Sequence, residues 1–379
     1  MWKIPLFDLD YGDAEKQAVV EVIESKWLSS GEKTKRFESE FSSYLGKNIL
    51  STAVSSATAS LHISLLIAGV KQGDEVIISG LTFVADANVV TMLNATPIFC
   101  DVNSLSNWNP NIDDIISKVT GKTKAIIVVH FAGYPIEDIE KLVEFTKSKN
   151  IILVEDVAHA VGGSYNGQKC GTFGDMACFS FFSNKNLSTG EGGMFVTKRK
   201  EYDKKAKLFR SHGMTSMTID RHEGRTISYD VIQPGLNYRI DEMRCALGLV
   251  QLSKLDENNK KRKLLVEYYI KKLSNKVPNL IIPFSNISYK TISSYHIFPV
   301  LLPVNCDRIE IISTLKNRGI QTSLHYPSFK NFDFYAQYCN YALKNADEIS
   351  SRVITLPLYP DLTTDMVDII IDAISEALC

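Results

Sequence analysis

The chain has 379 residues, of which 45% are hydrophobic and 22% are charged, a balance typical of a globular protein. Its 42 basic residues nearly cancel its 43 acidic residues, and a net charge of −1 provides no strong field to attract nucleic acid or an anionic membrane. No apolar stretch approaches the roughly 20 residues needed to span a bilayer. The first residues lack the pattern of a signal peptide, and the length favours one large and one small domain.

The seven cysteines are scattered along the chain and form no Cys-x-x-Cys pair. We therefore expect no disulfide framework, structural zinc or iron–sulfur cluster, and we expect a protein of the reducing cytoplasm. The seven histidines show no His-x-x-x-His spacing, so no metal site is expected either.

The first half of the chain alternates between helical and strand-like patterns. Residues 13–27 have the periodicity of an amphipathic helix, and residues 136–149 are one of several helical stretches that follow. The clearest apolar strands are residues 75–78, 97–100, 125–129 and 151–154. Continuous apolar strands separated by helices are typical of a mainly parallel sheet covered on both faces. The sequence therefore predicts an α/β fold with a large domain over residues 1–254.

The pattern changes in the last third of the chain. Residues 239–273 are charged, helically periodic and free of proline, and they predict a long connecting helix. A strand over residues 296–302 and helices over residues 307–318 and 363–378 follow. We expect a small α+β domain over residues 255–379.

Lys185 lies in an unusual position for a surface lysine. An apolar strand over residues 179–182 leads into a polar, glycine-rich turn that carries Lys185, and a second apolar strand over residues 194–197 follows. A lysine in such a turn is partly desolvated and fixed in direction. It can form a Schiff base with a carbonyl compound or with pyridoxal phosphate.

A candidate phosphate site precedes the helical run of residues 61–68. Ala57 and Thr58 belong to a segment of small and hydroxyl side chains that lets a ligand approach the backbone N–H groups at the helix start. The alternative is an ordinary Ser/Thr helix cap.

Three further residues follow predicted strands, where ligands bind in parallel sheets. Asp156 follows the strand of residues 151–154 and could keep the pyridine nitrogen of the cofactor protonated, and His159 could contact its ring. Phe83 follows an earlier strand and could stack on a flat ring. The alternatives are an acid that caps a helix, a hydrogen-bonded core histidine and a core aromatic.

Several motifs occur in an order that resembles a known family. The most specific is the Lys185 turn with Thr189-Gly190-Glu191-Gly192-Gly193, and the others include Thr82-Phe83-Val84-Ala85, Glu155-Asp156-Val157-Ala158-His159-Ala160, Asn237-Tyr238-Arg239 and His325-Tyr326-Pro327. Over nearly its whole length the chain resembles the DegT/StrS-type nucleotide-sugar aminotransferases, which depend on pyridoxal phosphate and have the aspartate-aminotransferase fold, fold type I.

The resemblance implies roles for the residues around the cofactor ring. Lys185 would carry the cofactor as a Schiff base and then move a proton between cofactor and substrate. Asp156 would pair with the pyridine nitrogen. Phe83 would stack on the ring, with His159 near it.

The resemblance also implies a phosphate anchor and a partner subunit. Ala57, Thr58 and Ser180 would bind the phosphate, although many members have glycine where this chain has Ala57. Asn237 would reach the phosphate from the neighbouring subunit, which makes the expected active unit a homodimer with shared sites. His325-Tyr326 would come from the small domain and lie near the site, as residues that contact substrate.

The expected reaction moves an amino group from L-glutamate, which leaves as 2-oxoglutarate, to a keto group of a nucleotide-linked deoxysugar. The product would be an amino sugar for surface polysaccharide, glycan or antibiotic biosynthesis. A C4 ketone is the commonest case among such relatives, and C3 amination is the alternative. Sugar dehydratases of this fold place histidine at the position of Lys185, and a non-catalytic regulatory relative is disfavoured by the presence of Lys185, Asp156 and Ser180.

The segment of residues 210–225 is rich in arginine and histidine. Arg221 and Arg225 could clamp the diphosphate of a nucleotide sugar. The alternative is a solvated surface loop.

Overall fold

The computed structural model describes residues 2–216, 224 and 228–378. The helices, in chain order, are α1 Asp13–Glu24, α2 Glu32–Leu45, α3 Ala57–Ala68, α4 Ala85–Met92, α5 Ile112–Ser117, α6 Ile139–Lys149, α7 Lys200–Arg210, α8 Glu242–Lys276, α9 Arg308–Asn317, α10 Lys344–Arg352 and α11 Thr364–Ala377. Short 3₁₀ turns cover Phe131–Gly133, Phe329–Asn331 and Ala336–Tyr338.

The strands form one large sheet and three small ones. They are β1 Leu50–Val54, β2 Glu75–Ser79, β3 Thr96–Cys100, β4 Val102–Ser104, β5 Asn107–Pro110, β6 Thr123–Val129, β7 Ile152–Asp156, β8 Ser164–Tyr165, β9 Gln168–Lys169, β10 Met176–Ser180, β11 Gly193–Thr197, β12 Thr291–Ile292, β13 Phe298–Leu301 and β14 Val353–Leu356. The small sheets are β12-β8-β9, β13-β14 and β4-β5.

The seven-stranded sheet has the order β1-β11-β10-β7-β6-β2-β3. Strands β10, β7, β6, β2 and β3 run parallel, and β11 pairs antiparallel with both of its neighbours. The mainly parallel α/β sheet predicted from the sequence is therefore confirmed.

The central strands are apolar throughout because both of their faces are covered. Successive side chains of a strand point to opposite faces. Val76 and Ile78 of β2 belong to one buried cluster with residues of α3 and α4, and Ile77 belongs to another with residues of α5 and α6. This covering on both sides leaves the ends of the strands as the places where a ligand can reach the sheet.

Helix α8 has 35 residues and is roughly 50 Å long. Its first half binds the N-terminal helices, where Glu242 accepts a hydrogen bond from the backbone N–H of Thr34 at 2.8 Å. Its second half contacts α11, where the hydroxyl of Tyr268 donates to Asp368 at 2.9 Å. The boundary predicted between residues 254 and 255 lies inside this helix, and the division into two domains stays a prediction.

Several elements are shorter than the sequence pattern indicates, among them α6, which starts at Ile139 and not at residue 136. Helix α1 stops at Glu24 and not at residue 27, and Lys26 has a φ of 61°, which a helix does not accept. Strand β13 starts at Phe298 and not at residue 296. His296 therefore lies outside the strand, in a segment that reaches the site described below.

Within residues 2–216, 224 and 228–378, no helix is long and apolar enough to cross a membrane. The same part of the chain contains no group of three or more His, Cys, Asp and Glu side chains arranged to hold a metal ion. Its free thiols are Cys100, Cys170, Cys178, Cys245, Cys306 and Cys339.

Candidate active site

A cavity of about 330 Å³ lies at the carboxyl ends of the parallel strands. It is bordered by the residues that follow β2, by the ends of β6, β7 and β10, and by the first turn of α3. The sequence-predicted residues that line it are Ala57, Thr58, Phe83, Asp156, His159, Ser180, Lys185, His325 and Tyr326. Its ten other lining residues include Ser56, Thr82, Phe182, Asn184 and Gly192.

Lys185 reaches the cavity from a turn between β10 and β11. The N–H of Phe181 donates to the carbonyl of Gly192 at 2.9 Å, and the N–H of Lys185 donates to the carbonyl of Phe182 at 2.9 Å. Gly193 lets the start of β11 pass close to the start of α3, since a Cβ at this position would lie 2.6 Å from the backbone nitrogen of Ala57. The turn that carries Lys185 is thus seated against the start of α3.

The amine of Lys185 loses its proton at a lower pH than an ordinary lysine does. Burial lowers its pKa to about 8, although Asp156 opposes this shift. Below this pKa the amine is protonated and cannot attack a carbonyl group, and above it the free amine predominates. A Schiff-base lysine needs this property.

We expect the reactivity of Lys185 in the cofactor-free protein to rise with pH around a midpoint of about 8. The ordinary lysine pKa is about 10.4. Brief acylation at a series of pH values, followed by mass spectrometry of the peptide that contains Lys185, measures the midpoint. A midpoint at the ordinary lysine value would contradict the description of this environment.

Asp156 is the last residue of β7 and only 6% exposed. Its Oδ1 accepts a hydrogen bond from the backbone N–H of Ala158 at 2.8 Å. Burial raises its pKa, against the opposing effects of that hydrogen bond and of Lys185. A second buried acid, Asp86, lies within hydrogen-bonding reach of it.

Asp86 was not predicted from the sequence. Thr82 donates to its Oδ2 at 2.6 Å, and its Oδ1 has no hydrogen-bond donor among the residues that the structure describes. Burial, and then the charge of Asp156, raise the pKa of Asp86 well above its usual range, which favours the protonated form of Asp86 beside the Asp156 carboxylate. The feature of the sequence that could have indicated Asp86 is its position as an acid in the first turn of the apolar helix α4.

The neighbouring acid Glu155 points away from the cavity and is fully buried. Its two oxygens accept backbone hydrogen bonds from Gly171, Phe173 and Gly174 at 2.7–2.8 Å, and one also contacts the ring of His130 at 2.9 Å. Of the two adjacent carboxylates, only Asp156 can therefore meet a ligand.

Glu155→Gln is expected to destabilise the fold by about 1–3 kcal/mol. The new side-chain NH2 group cannot accept a hydrogen bond, so at least one backbone N–H that now donates to Glu155 would lose its acceptor. Unfolding in urea measures the change. Glu140→Gln is the control, since Glu140 is exposed. Equal stability of the two variants would contradict the structural role assigned to Glu155.

His159 and Tyr326 form a hydrogen-bonded pair at the cavity wall, with 2.8 Å between His159 Nε2 and Tyr326 Oη. His159 Nδ1 accepts from the backbone N–H of Ala132 at 3.3 Å. Burial, and then Lys185 and His325, lower the pKa of His159 well below its usual value. The neutral ring therefore carries its proton on Nε2 and donates to Tyr326, which leaves the tyrosine hydroxyl free to donate into the cavity.

The start of α3 and the end of β10 form the anion-binding side of the cavity. The Ser56 side chain caps α3 by accepting from the N–H of Ala59 at 3.1 Å. The N–H groups of Ala57 and Thr58 have no intrahelical partner, and they lie at the positive end of the helix. The Ser180 hydroxyl accepts from the N–H of Phe182 at 3.3 Å, so its own proton is available for a ligand.

Two ring-bearing residues line the remaining wall. Phe83 is 55% exposed, and its ring centroid lies 5.8 Å from that of Tyr326. His325 Nδ1 lies 2.8 Å from the Thr355 hydroxyl. Burial, and then Lys185, lower the pKa of His325 to about 3, so the ring is neutral at physiological pH.

The sequence hypothesis names three further residues. Asn237 does not line the cavity, and the backbone of Asn237 pairs with Ser211 instead. Arg221 and Arg225 lie outside the described residues. His296, by contrast, was missed from the sequence, and its ring nitrogen Nε2 lies 3.4 Å from Lys185 Nζ.

The residues present fit pyridoxal phosphate. The helix start and Ser180 can bind a phosphate, Asp156 can accept from a pyridine N–H, and Lys185 can bond to an aldehyde carbon. The chain matches the DegT/DnrJ/EryC1/StrS aminotransferase family over residues 10–375. The chain belongs to this family.

Curated relatives cover almost the whole chain. GDP-perosamine synthase of Escherichia coli O157:H7 is 34% identical over 375 residues, which are 98% of this chain and 98% of that protein. The spore coat polysaccharide biosynthesis protein SpsC of Bacillus subtilis is 34% identical over 373 residues, which are 96% and 94% of the two chains.

Solved structures share the fold. The aminotransferase TlmJ from Streptoalloteichus hindustanus superposes with a TM-score of 0.91 at 31% identity, covering 100% of this chain and 99% of its own. The PLP form of Spr1654 from Streptococcus pneumoniae has a TM-score of 0.87 at 28% identity, covering 100% and 98%. The predictions of an aminotransferase, of its fold class and of its cofactor are thus confirmed, and the cofactor of this DegT-family enzyme is pyridoxal phosphate.

Proposed function

We propose that this aminotransferase moves an amino group from L-glutamate to the C4 keto group of a nucleotide-linked deoxysugar, for polysaccharide or glycan biosynthesis. The names of two relatives, GDP-perosamine synthase and SpsC, support an amino sugar as the product. The observation that carries the proposal is the cavity that gathers Lys185, Asp156 and the start of α3 around one space.

The cofactor, when bound, supplies an electron sink for the carbon from which a proton is removed. Asp156 holds the proton of the pyridine nitrogen. Lys185 takes a proton from the substrate carbon and returns one, which requires a neutral amine. Its pKa of about 8 gives a usable fraction of neutral amine near physiological pH.

Polar side chains that line the cavity together with Lys185 can orient a sugar. The Tyr326 hydroxyl, held by His159 at 2.8 Å, presents a proton to the cavity, and the neutral His325 lies beside it. Phe83 adds a partly exposed apolar ring to the lining. These groups suit a ligand with hydroxyl groups on one edge and a planar cofactor beneath it.

We also propose a homodimer in which Asn237 contributes to the site of the partner subunit. Asn237 does not border the cavity of its own chain, although the backbone carbonyl of the next residue, Tyr238, accepts from Ser55 at 2.9 Å next to the start of α3. Exposed apolar side chains a few residues earlier in the chain, Val231 and Ile232, provide a surface for a second copy.

Mixed dimers test the shared site. Lys185→Ala and Asn237→Asp are each expected to be inactive, the second because its charge repels the cofactor phosphate. Co-expression of the two should restore part of the activity, because a mixed dimer then has one site that carries neither change. Absence of any restored activity in isolated mixed dimers would contradict the shared site.

A panel of nucleotide-linked 3-keto and 4-keto sugars with L-glutamate tests the substrate. We expect amination of a 4-keto-6-deoxyhexose. Turnover of 3-keto sugars alone would replace the C4 proposal by the C3 alternative. Loss of a hydroxyl group without incorporation of nitrogen would indicate a dehydratase, and no turnover with any amino donor would favour a regulatory protein.

The diphosphate clamp formed by Arg221 and Arg225 remains a proposal that rests on the sequence. A lower apparent affinity for nucleotide sugar in Arg221→Ala and Arg225→Ala would support it. Unchanged affinity in both variants would favour the surface loop.

A further inference from the structure

The ring of His296 lies next to the amine of Lys185. Its Nε2 lies 3.4 Å from Lys185 Nζ, and the ring is 3% exposed. It comes from the segment before β13, more than a hundred residues away in the chain. No motif of the sequence pointed to this contact.

Two asparagines determine which nitrogen of His296 carries the proton. Asn259 Nδ2 donates to the carbonyl of Val161 at 3.1 Å, so its Oδ1 is the acceptor for Asn186 Nδ2 at 2.7 Å. Asn186 Nδ2 also donates to the carbonyl of Ser294 at 2.7 Å. Since backbone carbonyls only accept, neither amide can be reversed.

The Oδ1 of Asn186 must then accept from His296. It lies 2.9 Å from His296 Nδ1, so Nδ1 carries the proton of this ring. Burial, and then the charge of Lys185, lower the pKa of His296 well below its usual value, so the ring is neutral. The lone pair of Nε2 consequently faces the amine of Lys185.

We propose that His296 is a positioning residue for Lys185. Its Nε2 accepts a hydrogen bond from the lysine amine and holds that amine at the cavity wall whenever the amine is not bonded to the cofactor. The proposal rests on the function proposed above for Lys185. It adds a chain of fixed hydrogen bonds that runs from Asn259 of α8 through Asn186 and His296 to the reactive amine.

This arrangement has a direct effect on the charge of Lys185. A neutral acceptor stabilises the ammonium form more than the free amine, because a hydrogen bond to a charged group is the stronger one. His296 therefore keeps the lysine pKa from falling further in its buried site. The other titratable groups around Lys185 and His296 are Asp86, Asp156, His159, Arg262, His325 and Tyr326.

The test measures the pH midpoint of Lys185 acylation in the cofactor-free protein, read from the peptide that contains Lys185. His296→Phe keeps a ring but removes the acceptor, and it should move the midpoint down by about one pH unit. His296→Gln keeps an acceptor at about the same reach and should restore the wild-type midpoint. His62→Phe, which replaces a histidine outside the cavity, is the control and should leave the midpoint unchanged.

An unchanged midpoint in His296→Phe would overturn the proposal, as would an equal shift in the Gln and Phe variants. Should His296→Phe fail to fold, Asn186→Leu leaves His296 in place but removes the acceptor of its Nδ1 proton. We then expect a smaller downward shift, and no shift would overturn the proposal. The measurement needs neither cofactor nor sugar, so a failed sugar assay and a failed His296 assignment are separate results.

Discussion

Replacing Lys185 with alanine is expected to remove the absorbance of the Schiff base between this lysine and the cofactor and to lower kcat by at least about 10³-fold. General acid–base catalysis alone contributes about 10²–10⁴-fold, and the loss of the covalent attachment adds to this. Absorbance spectra of the purified variant and its turnover with L-glutamate check both parts. The backbone hydrogen bond from the N–H of Lys185 to the carbonyl of Phe182 does not involve the side chain, so the variant should still fold.

The matched control for this substitution is Lys71→Ala. Lys71 is an exposed lysine that does not line the cavity, and its removal should change neither spectrum nor turnover. A Lys185→Ala enzyme that retained the absorbance and full turnover would show that the reacting amine is elsewhere.

Asp156→Asn is expected to lower kcat by about 10²–10³-fold with little loss of stability. The amide oxygen can still accept from the N–H of Ala158, which lies 2.8 Å from the present carboxylate, so the local structure is retained. The negative charge that would hold the pyridine proton is lost, and with it the electrostatic stabilisation of the transition state. Steady-state kinetics and thermal unfolding measure the two effects.

The same substitution should shift the titration of Lys185. Asp156 raises the lysine pKa, so its neutralisation should lower the acylation midpoint below about 8 in the cofactor-free protein. Glu155→Gln, at the adjacent residue, should instead reduce stability. A lowered stability in Asp156→Asn together with a lowered Lys185 midpoint in Glu155→Gln would contradict the assignment of the two carboxylates.

The sequence predicted the parts of the site that depend on local pattern. The apolar run of residues 151–154 predicts β7, and Asp156 at its end follows from the rule that ligands bind at the carboxyl ends of parallel strands, whereas Ser180 at the end of β10 was implied by the family resemblance. Lys185 was predicted because its polar turn joins two buried strands. In each case a few neighbouring residues carry the signal.

The contacts that hold these residues could not be predicted, because they join distant parts of the chain. Tyr326 and His159 are 167 residues apart, and His296 and Lys185 are 111 residues apart. Nothing in one segment specifies which ring of another will pack against it. Only the folded arrangement of β7, the Lys185 turn and the segment before β13 brings them together.

The pair Glu155 and Asp156 illustrates the same limit at adjacent positions. The sequence indicates two acids at a strand end, and alternation along the strand sends them to opposite faces. Which face holds the cavity depends on where α3 packs. Glu155 therefore meets three backbone N–H groups, whereas Asp156 meets the cavity.

The most direct test of the central claim is reduction of the cofactor-loaded protein with borohydride, followed by peptide mapping. Reduction makes the bond between cofactor and lysine permanent, so the modified residue can be identified by mass. We predict a single pyridoxyl group on the peptide that contains Lys185. A pyridoxyl group on another lysine, or a protein that binds the cofactor without forming a reducible bond, would contradict the account.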